Sequence, residues 1–112
     1  MPNICKEVLE LADRLSFSIG LFGSVLEKGF LKANDIDLVI PEEKITTRTR
    51  GILKAYAVKH EKMLDIFLAP VKESETIGKM VINWDKRSYR TDVFCGRDFF
   101  SELLIVHPNL SK

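Results

Sequence analysis

The sequence predicts an α/β (α+β) fold, a small mixed sheet with helices mainly on one face. Three observations carry that prediction. Apolar residues recur at helical spacing near the start of the chain. The segments SFSIGLF, DIDLVI and MLDIFLAP are short, apolar and bounded by glycine or proline, as strands are. The elements run helix, strand, turn, strand, helix, strand, an order that a single sheet with covering helices accommodates.

In chain order, Ile4, Val8, Leu11, Ala12 and Leu15 mark the first helix, and Asn3 is placed to cap its first turn. Phe17, Ile19 and Leu21 alternate on one face of the first strand, which Gly23-Ser24 ends. VLEKGFLKAN follows as a short helical turn or loop interrupted by Gly29. DIDLVI is the second strand, stopped by Pro41. Residues 42 to 59 predict a second helix on Ile45, Ile52, Leu53 and Tyr56, started by Pro41 and Glu42-Glu43; Thr46, Thr47, Thr49 and Gly51 weaken its pattern. MLDIFLAP is the third strand. Beyond Val71 the signal fades: GKMVINW reads as a fourth strand, RDFFSELLIVH as a short helix, and residues 108–112 as a frayed tail.

A length of 112 residues suits one domain with one core, so residues 1–112 are expected to be a single unit. With 46% hydrophobic and 29% charged residues the chain is not of disordered composition. A net charge of +1 predicts no molecule-wide field for nucleic acid, and a local patch stays open. Cys5 and Cys95 form no CxxC and read as free thiols in a reducing compartment. The N-terminal stretch has neither the basic nor the apolar region of a signal peptide, and no apolar run approaches a membrane span, so the expected location is cytoplasmic.

The chemistry concentrates on three aspartates. Side chains alternate along a strand, so Asp35 and Asp37 share one face, with Cα atoms roughly 6.5 to 7 Å apart. Asp65 holds the matching place in the third strand and lies roughly 5 Å away if the two strands pair. Three carboxylates that close repel one another, and a cation relieves the repulsion. Oxygen-only ligation suits Mg²⁺ or Mn²⁺, and no His or Cys adjoins the cluster to favour zinc. Gly23 lets a ligand approach the backbone closely, and Ser24 offers a hydroxyl beside free N–H groups, a phosphate-binding arrangement. Phosphate beside a divalent cation describes a nucleoside-triphosphate site.

Gly23-Ser24, ten residues, then Asp35-Ile36-Asp37 resembles the signature of the DNA polymerase beta-like nucleotidyltransferase superfamily, and LDIFL with Asp65 resembles its third carboxylate strand. In size the chain is similar to the minimal nucleotidyltransferases. The resemblance covers residues 17 to 68. It implies the polymerase beta-like nucleotidyltransferase fold and transfer of a nucleoside monophosphate, AMP from ATP, to an acceptor hydroxyl with release of pyrophosphate. On that pattern Asp35 and Asp37 would hold both Mg²⁺ (or Mn²⁺) ions. Asp65 would complete the site of the ion that activates the acceptor, or act as the base. Gly23 and Ser24 would hold the β- and γ-phosphates. The preference for ATP comes from the resemblance alone. So does the expected partner, a small helical protein of the HEPN type in a toxin–antitoxin pair, ranked ahead of a homodimer; both answer the lack of further walls for a nucleotide cleft.

The chain departs from the pattern where minimal members carry an arginine and a glycine after the serine. Here Val25, Leu26, Glu27 and Lys28 precede Gly29, and Asn34 replaces the serine before the DxD. The departure motivates an alternative, a non-catalytic member of the fold that acts as an antitoxin or binding protein by complex formation; a third possibility is a structural domain with vestigial aspartates. Blander expectations hold elsewhere. Lys44, Arg48, Arg50 and Lys54 read as a solvated helix face rather than a nucleic-acid path. His60 and His107 read as surface residues. Trp84, Tyr89, Phe94, Phe99 and Phe100 read as core rather than base-stacking residues. Neither cysteine has the electropositive setting of a nucleophile.

Overall fold

The computed structural model describes residues 6–85, 87–96 and 103–109. The elements are α1 (Lys6–Leu15), β1 (Ile19–Phe22), α2 (Ser24–Lys28), β2 (Asp35–Pro41), a 3-10 turn (Glu42–Lys44), α3 (Thr47–His60), β3 (Met63–Ala69), β4 (Thr76–Ile82), β5 (Ser88–Phe94) and β6 (Leu104–Val106). The predicted Asn3 cap, Ile4, Cys5, Phe99, Phe100 and the end of the tail lie outside the described residues.

The described strands form one sheet in the order β5-β4-β3-β2-β1-β6. β2 and β3 run parallel, and every other neighbouring pair is antiparallel. Parallel neighbours cannot be joined by a tight turn, and α3 supplies the crossover. One face of the sheet carries Ile36, Leu38 and Ile40 of β2 with Leu64, Ile66 and Leu68 of β3, all at most 1% exposed. These residues form one core cluster with Val8, Leu11, Ala12 and Leu15 of α1 and Leu53, Tyr56 and Ala57 of α3. Each fully buried leucine or isoleucine contributes about 1.5–3 kcal/mol, so this face is where the fold is held together. Tyr56 is buried completely because its hydroxyl donates to the Glu7 carbonyl at 2.6 Å, tying α3 to α1.

Several expectations require correction. The second helix starts at Thr47, not at residue 42: Thr46 caps it by accepting from the Thr49 amide at 3.1 Å, and the residues from Glu42 to Lys44 form a separate 3-10 turn. Of the threonines that weaken the pattern, Thr46 is thus the cap, Thr49 donates to it, and Thr47 opens the helix. Leu104–Val106, expected to be helical, is a strand paired with β1, and residues 97–102 lie outside the described residues. Pairing with a distant edge overrides the local pattern there. β5 was not foreseen. Trp84, Tyr89 and Phe94 are 47%, 60% and 76% exposed rather than core, because β5 lies at the edge of the sheet and Trp84 on the loop leading to it. His60 is half-buried rather than on the surface: its ring packs against Tyr56 and Phe30, centroids 4.5 and 5.0 Å away, and burial pulls its pKa down. His107 is exposed as expected, with Nδ1 2.6 Å from the Ser18 hydroxyl.

Candidate active site

Alternation sends the other half of β2 and β3 to the opposite sheet face. The register sets Asp37 beside Asp65 across the parallel pair, with Asp35 beside Met63. Residues paired across neighbouring strands share a face, so Asp35, Asp37 and Asp65 lie together with Phe22, which pairs with Asp37, and Lys79, which pairs with Phe67. All three aspartates are half-buried.

Asp37 and Asp65 are close enough to share a hydrogen bond. Partial burial, then the charges of Asp65 and Asp35, push the Asp37 carboxyl up to about 6. Burial also raises Asp65, opposed by the ammonium of Lys79. Crowded carboxylates are a donor set short of positive charge, and a hard divalent cation matches their chemistry. Among the described residues, however, no group of three His, Cys, Asp or Glu side chains is gathered tightly enough to hold one ion. Asp37 and Asp65 face each other across the strands, and Asp35 lies on the same face, near enough for its charge to raise both.

Gly23 follows Phe22 and adopts φ 79°, ψ −151°, a conformation open almost only to glycine. A Cβ here would collide with the Asp37 carboxylate, coming on top of Oδ2 and 3.2 Å from Cγ. The glycine expected to admit a ligand therefore first admits an aspartate. Ser24 opens α2, whose Val25 is buried in the core while Glu27 and Lys28 are exposed. Gly29, at φ 84°, ends α2.

Two lysines at this site escaped the sequence reading. Lys62, just before β3, is 9% exposed. Its Nζ donates to the carbonyls of Ala33 at 2.7 Å and Leu31 at 3.2 Å and lies 5.1 Å from the Phe30 ring centre. The Met63 amide also donates to the Asn34 carbonyl at 3.2 Å. Together these contacts fix the loop that delivers Asp35 onto the start of β3. The second lysine, Lys79, has its Nζ 3.9 Å from Asp65 Oδ1 and 5.2 Å from the Phe67 ring centre. Its sequence signal is its place between Ile77 and Val81: in a strand the three share a face, and a lysine between two buried apolar neighbours needs an anion.

The basic residues near α3 serve structural contacts. Arg48 donates to the Arg14 carbonyl at 3.3 Å, Lys54 to the Asn83 carbonyl at 3.0 Å, and Lys44 lies 5.8 Å from the Phe17 ring centre. Cys95 is buried and free, and burial pushes its thiol pKa up, against a nucleophilic role. A cavity of about 490 Å³ adjoins Cys95 and Ala69, at the end of β3 away from the aspartates, and has no part in this site.

A family model described as a nucleotidyltransferase domain matches residues 1–94. The chain belongs to the nucleotidyltransferase domain family. The match reaches well beyond residues 17 to 68, taking in α1 and every strand from β1 to β5. Searches of curated proteins and of solved structures found no match. The mixed sheet with α1 and α3 packed on one face is the nucleotidyltransferase fold that the motifs implied. None of the helices among the described residues is long and apolar enough to cross a membrane.

Proposed function

We propose that this nucleotidyltransferase transfers a nucleoside monophosphate, AMP from ATP, to an acceptor hydroxyl with release of pyrophosphate. The observation that carries the proposal is the crowding of Asp37 and Asp65 on the sheet face opposite α1 and α3, with Asp35 beside them and Gly23 pressed against Asp37. Asp35, Asp37 and Asp65 would hold Mg²⁺ or Mn²⁺. A divalent cation bound there would offset the triphosphate charge and favour ionisation of the acceptor. Gly23 and Ser24 would take the β- and γ-phosphates, Gly23 carrying no side chain of its own. The acceptor oxygen would bond to the α-phosphorus as the bond to the α–β bridging oxygen breaks. Where Asp65 acts as the base rather than completing the metal site, the acceptor proton would pass to its carboxylate, whose raised pKa suits that role.

A partner would complete the cleft. Tyr89 and Ile105, on the aspartate face by register, are 60% and 45% exposed at its two edges. The resemblance ranks a helical HEPN-type partner first and a second copy next. One observation favours the non-catalytic alternative: α2 buries Val25 and presents Glu27 where a triphosphate would want a cation. The test is incubation with α-labelled ATP and Mg²⁺, alone and with the product of the adjacent gene, followed by mass spectrometry of the proteins. A mass gain of one AMP with pyrophosphate release is expected. Intact ATP throughout, with a stable complex formed, would select the binding role.

A further inference from the structure

Resting on that carboxylate reading, we infer that Lys79 is a built-in counter-ion that competes with the divalent cation for Asp65, so that Asp35 and Asp37 engage a cation before Asp65 does. The geometry is specific. Lys79 lies on β4 between Ile77 and Val81, both 2% exposed, so its side chain leaves the strand beside apolar neighbours. It does not extend freely into solvent: the Lys79 side chain is 25% exposed and the Asp65 side chain 13%. Its ammonium is held from two sides, 3.9 Å from Asp65 Oδ1 and 5.2 Å from the Phe67 ring centre. Phe67 is two residues from Asp65 on β3 and directly opposite Lys79, so ring and carboxylate lie on the same face along one strand.

Among the described residues neither Asp35 nor Asp37 has an ion-pair partner. The three carboxylates are therefore unequal: one already has a cation and two do not. An ammonium and a divalent ion repel at this range, so each weakens the other's hold on Asp65. A cation entering the face meets Asp35 and Asp37 with no ion pair to break, and recruits Asp65 against the closer charge of Lys79. The Phe67 ring provides a resting place for the displaced ammonium, since a cation over an aromatic face is still stabilised.

The test is Mn²⁺ titration calorimetry on the full chain without nucleotide, comparing wild type, Lys79→Met, Lys79→Gln, Lys79→Arg and Asp35→Asn. Lys72→Met, in the exposed loop between β3 and β4, controls for general charge loss. Removing the Lys79 charge should tighten Mn²⁺ binding about ten-fold in both neutral variants. Lys79→Arg should bind as wild type, and Lys72→Met should change affinity less than about two-fold. Two neutral variants keep the result interpretable if one folds poorly. Unchanged or weaker Mn²⁺ binding in Lys79→Met and Lys79→Gln, with Asp35→Asn still impaired, would overturn the counter-ion role and leave the carboxylate reading standing. If Asp35→Asn binds as well as wild type, or if wild type and both neutral variants bind no Mn²⁺, the carboxylate reading fails and this inference fails with it.

Discussion

Strand β2 presents two opposite surfaces within seven residues. Ile36, Leu38 and Ile40 point to the helices and are fully buried, while Asp35 and Asp37 point to the other face and are half-exposed. β3 repeats the division with Leu64, Ile66 and Leu68 against Asp65. One face holds the molecule together, and the other gathers like charges that resist being together. The two-residue period of a strand lets both occur on one segment, because neighbours in sequence never share a surface. Stability and chemistry should therefore respond to different substitutions only one residue apart.

The largest effect should come from the helix-covered face. Leu38→Ala removes a side chain at 0% exposure and should cost about 2–5 kcal/mol in chemical denaturation, with Mn²⁺ binding retained wherever the protein is folded. A cost below about 1 kcal/mol would blur the division of the two faces. Next in size is Lys62→Met, which leaves the Leu31 and Ala33 carbonyls without their donor and should cost about 1–3 kcal/mol. Because Lys62 holds the loop before Asp35, this variant should also weaken Mn²⁺ binding, a link that Leu38→Ala should not show.

The smallest change in stability, and of opposite sign, should come from the aspartate face. The folded-state pKa of Asp37 is raised to about 6 from an ordinary value of 3.8. The folded protein therefore binds this proton more tightly than the unfolded chain. The stability contributed is fully present below about pH 4 and is lost as the pH rises through about 6. Metal-free Asp37→Asn should thus be more stable than wild type at pH 7.5, by about 1 kcal/mol once the half-exposure of the group is allowed for. The advantage should shrink as the pH falls from 6 to 4. Thermal melts in EDTA across that range would show it, and a constant difference would mean that the aspartates do not crowd one another.

The same contrast explains what could be read from the sequence. α1, β1, β2 and β3 were legible because burial on one face writes a period into the chain, and the aspartates stood out as the charged half of apolar strands. β5 carries no such period: six of its seven residues are exposed, and it is a strand because β4 offers it a hydrogen-bonding edge along its whole length. β6 is three residues whose pairing lies more than eighty positions away, so local spacing suggested a helix instead. Lys62 was opaque for a related reason, since its partners are carbonyls of a loop about thirty residues earlier. Lys79 was legible in principle, as a charge at an inward position of a predicted strand. Gly23 was singled out for admitting a ligand, whereas its nearest neighbour is Asp37.

The claim on which the rest depends is that the aspartate face is a cation-binding face whose loss of charge leaves the fold intact. The most direct measurement is Mn²⁺ calorimetry paired with thermal melting in EDTA, on wild type, Asp35→Asn and Asp37→Asn at pH 7.5. Both substitutions should remove or severely weaken Mn²⁺ binding, with melting temperatures equal to or above that of wild type. Wild-type Mn²⁺ affinity in both variants would contradict the account, and so would loss of binding that occurred only because the variants had unfolded.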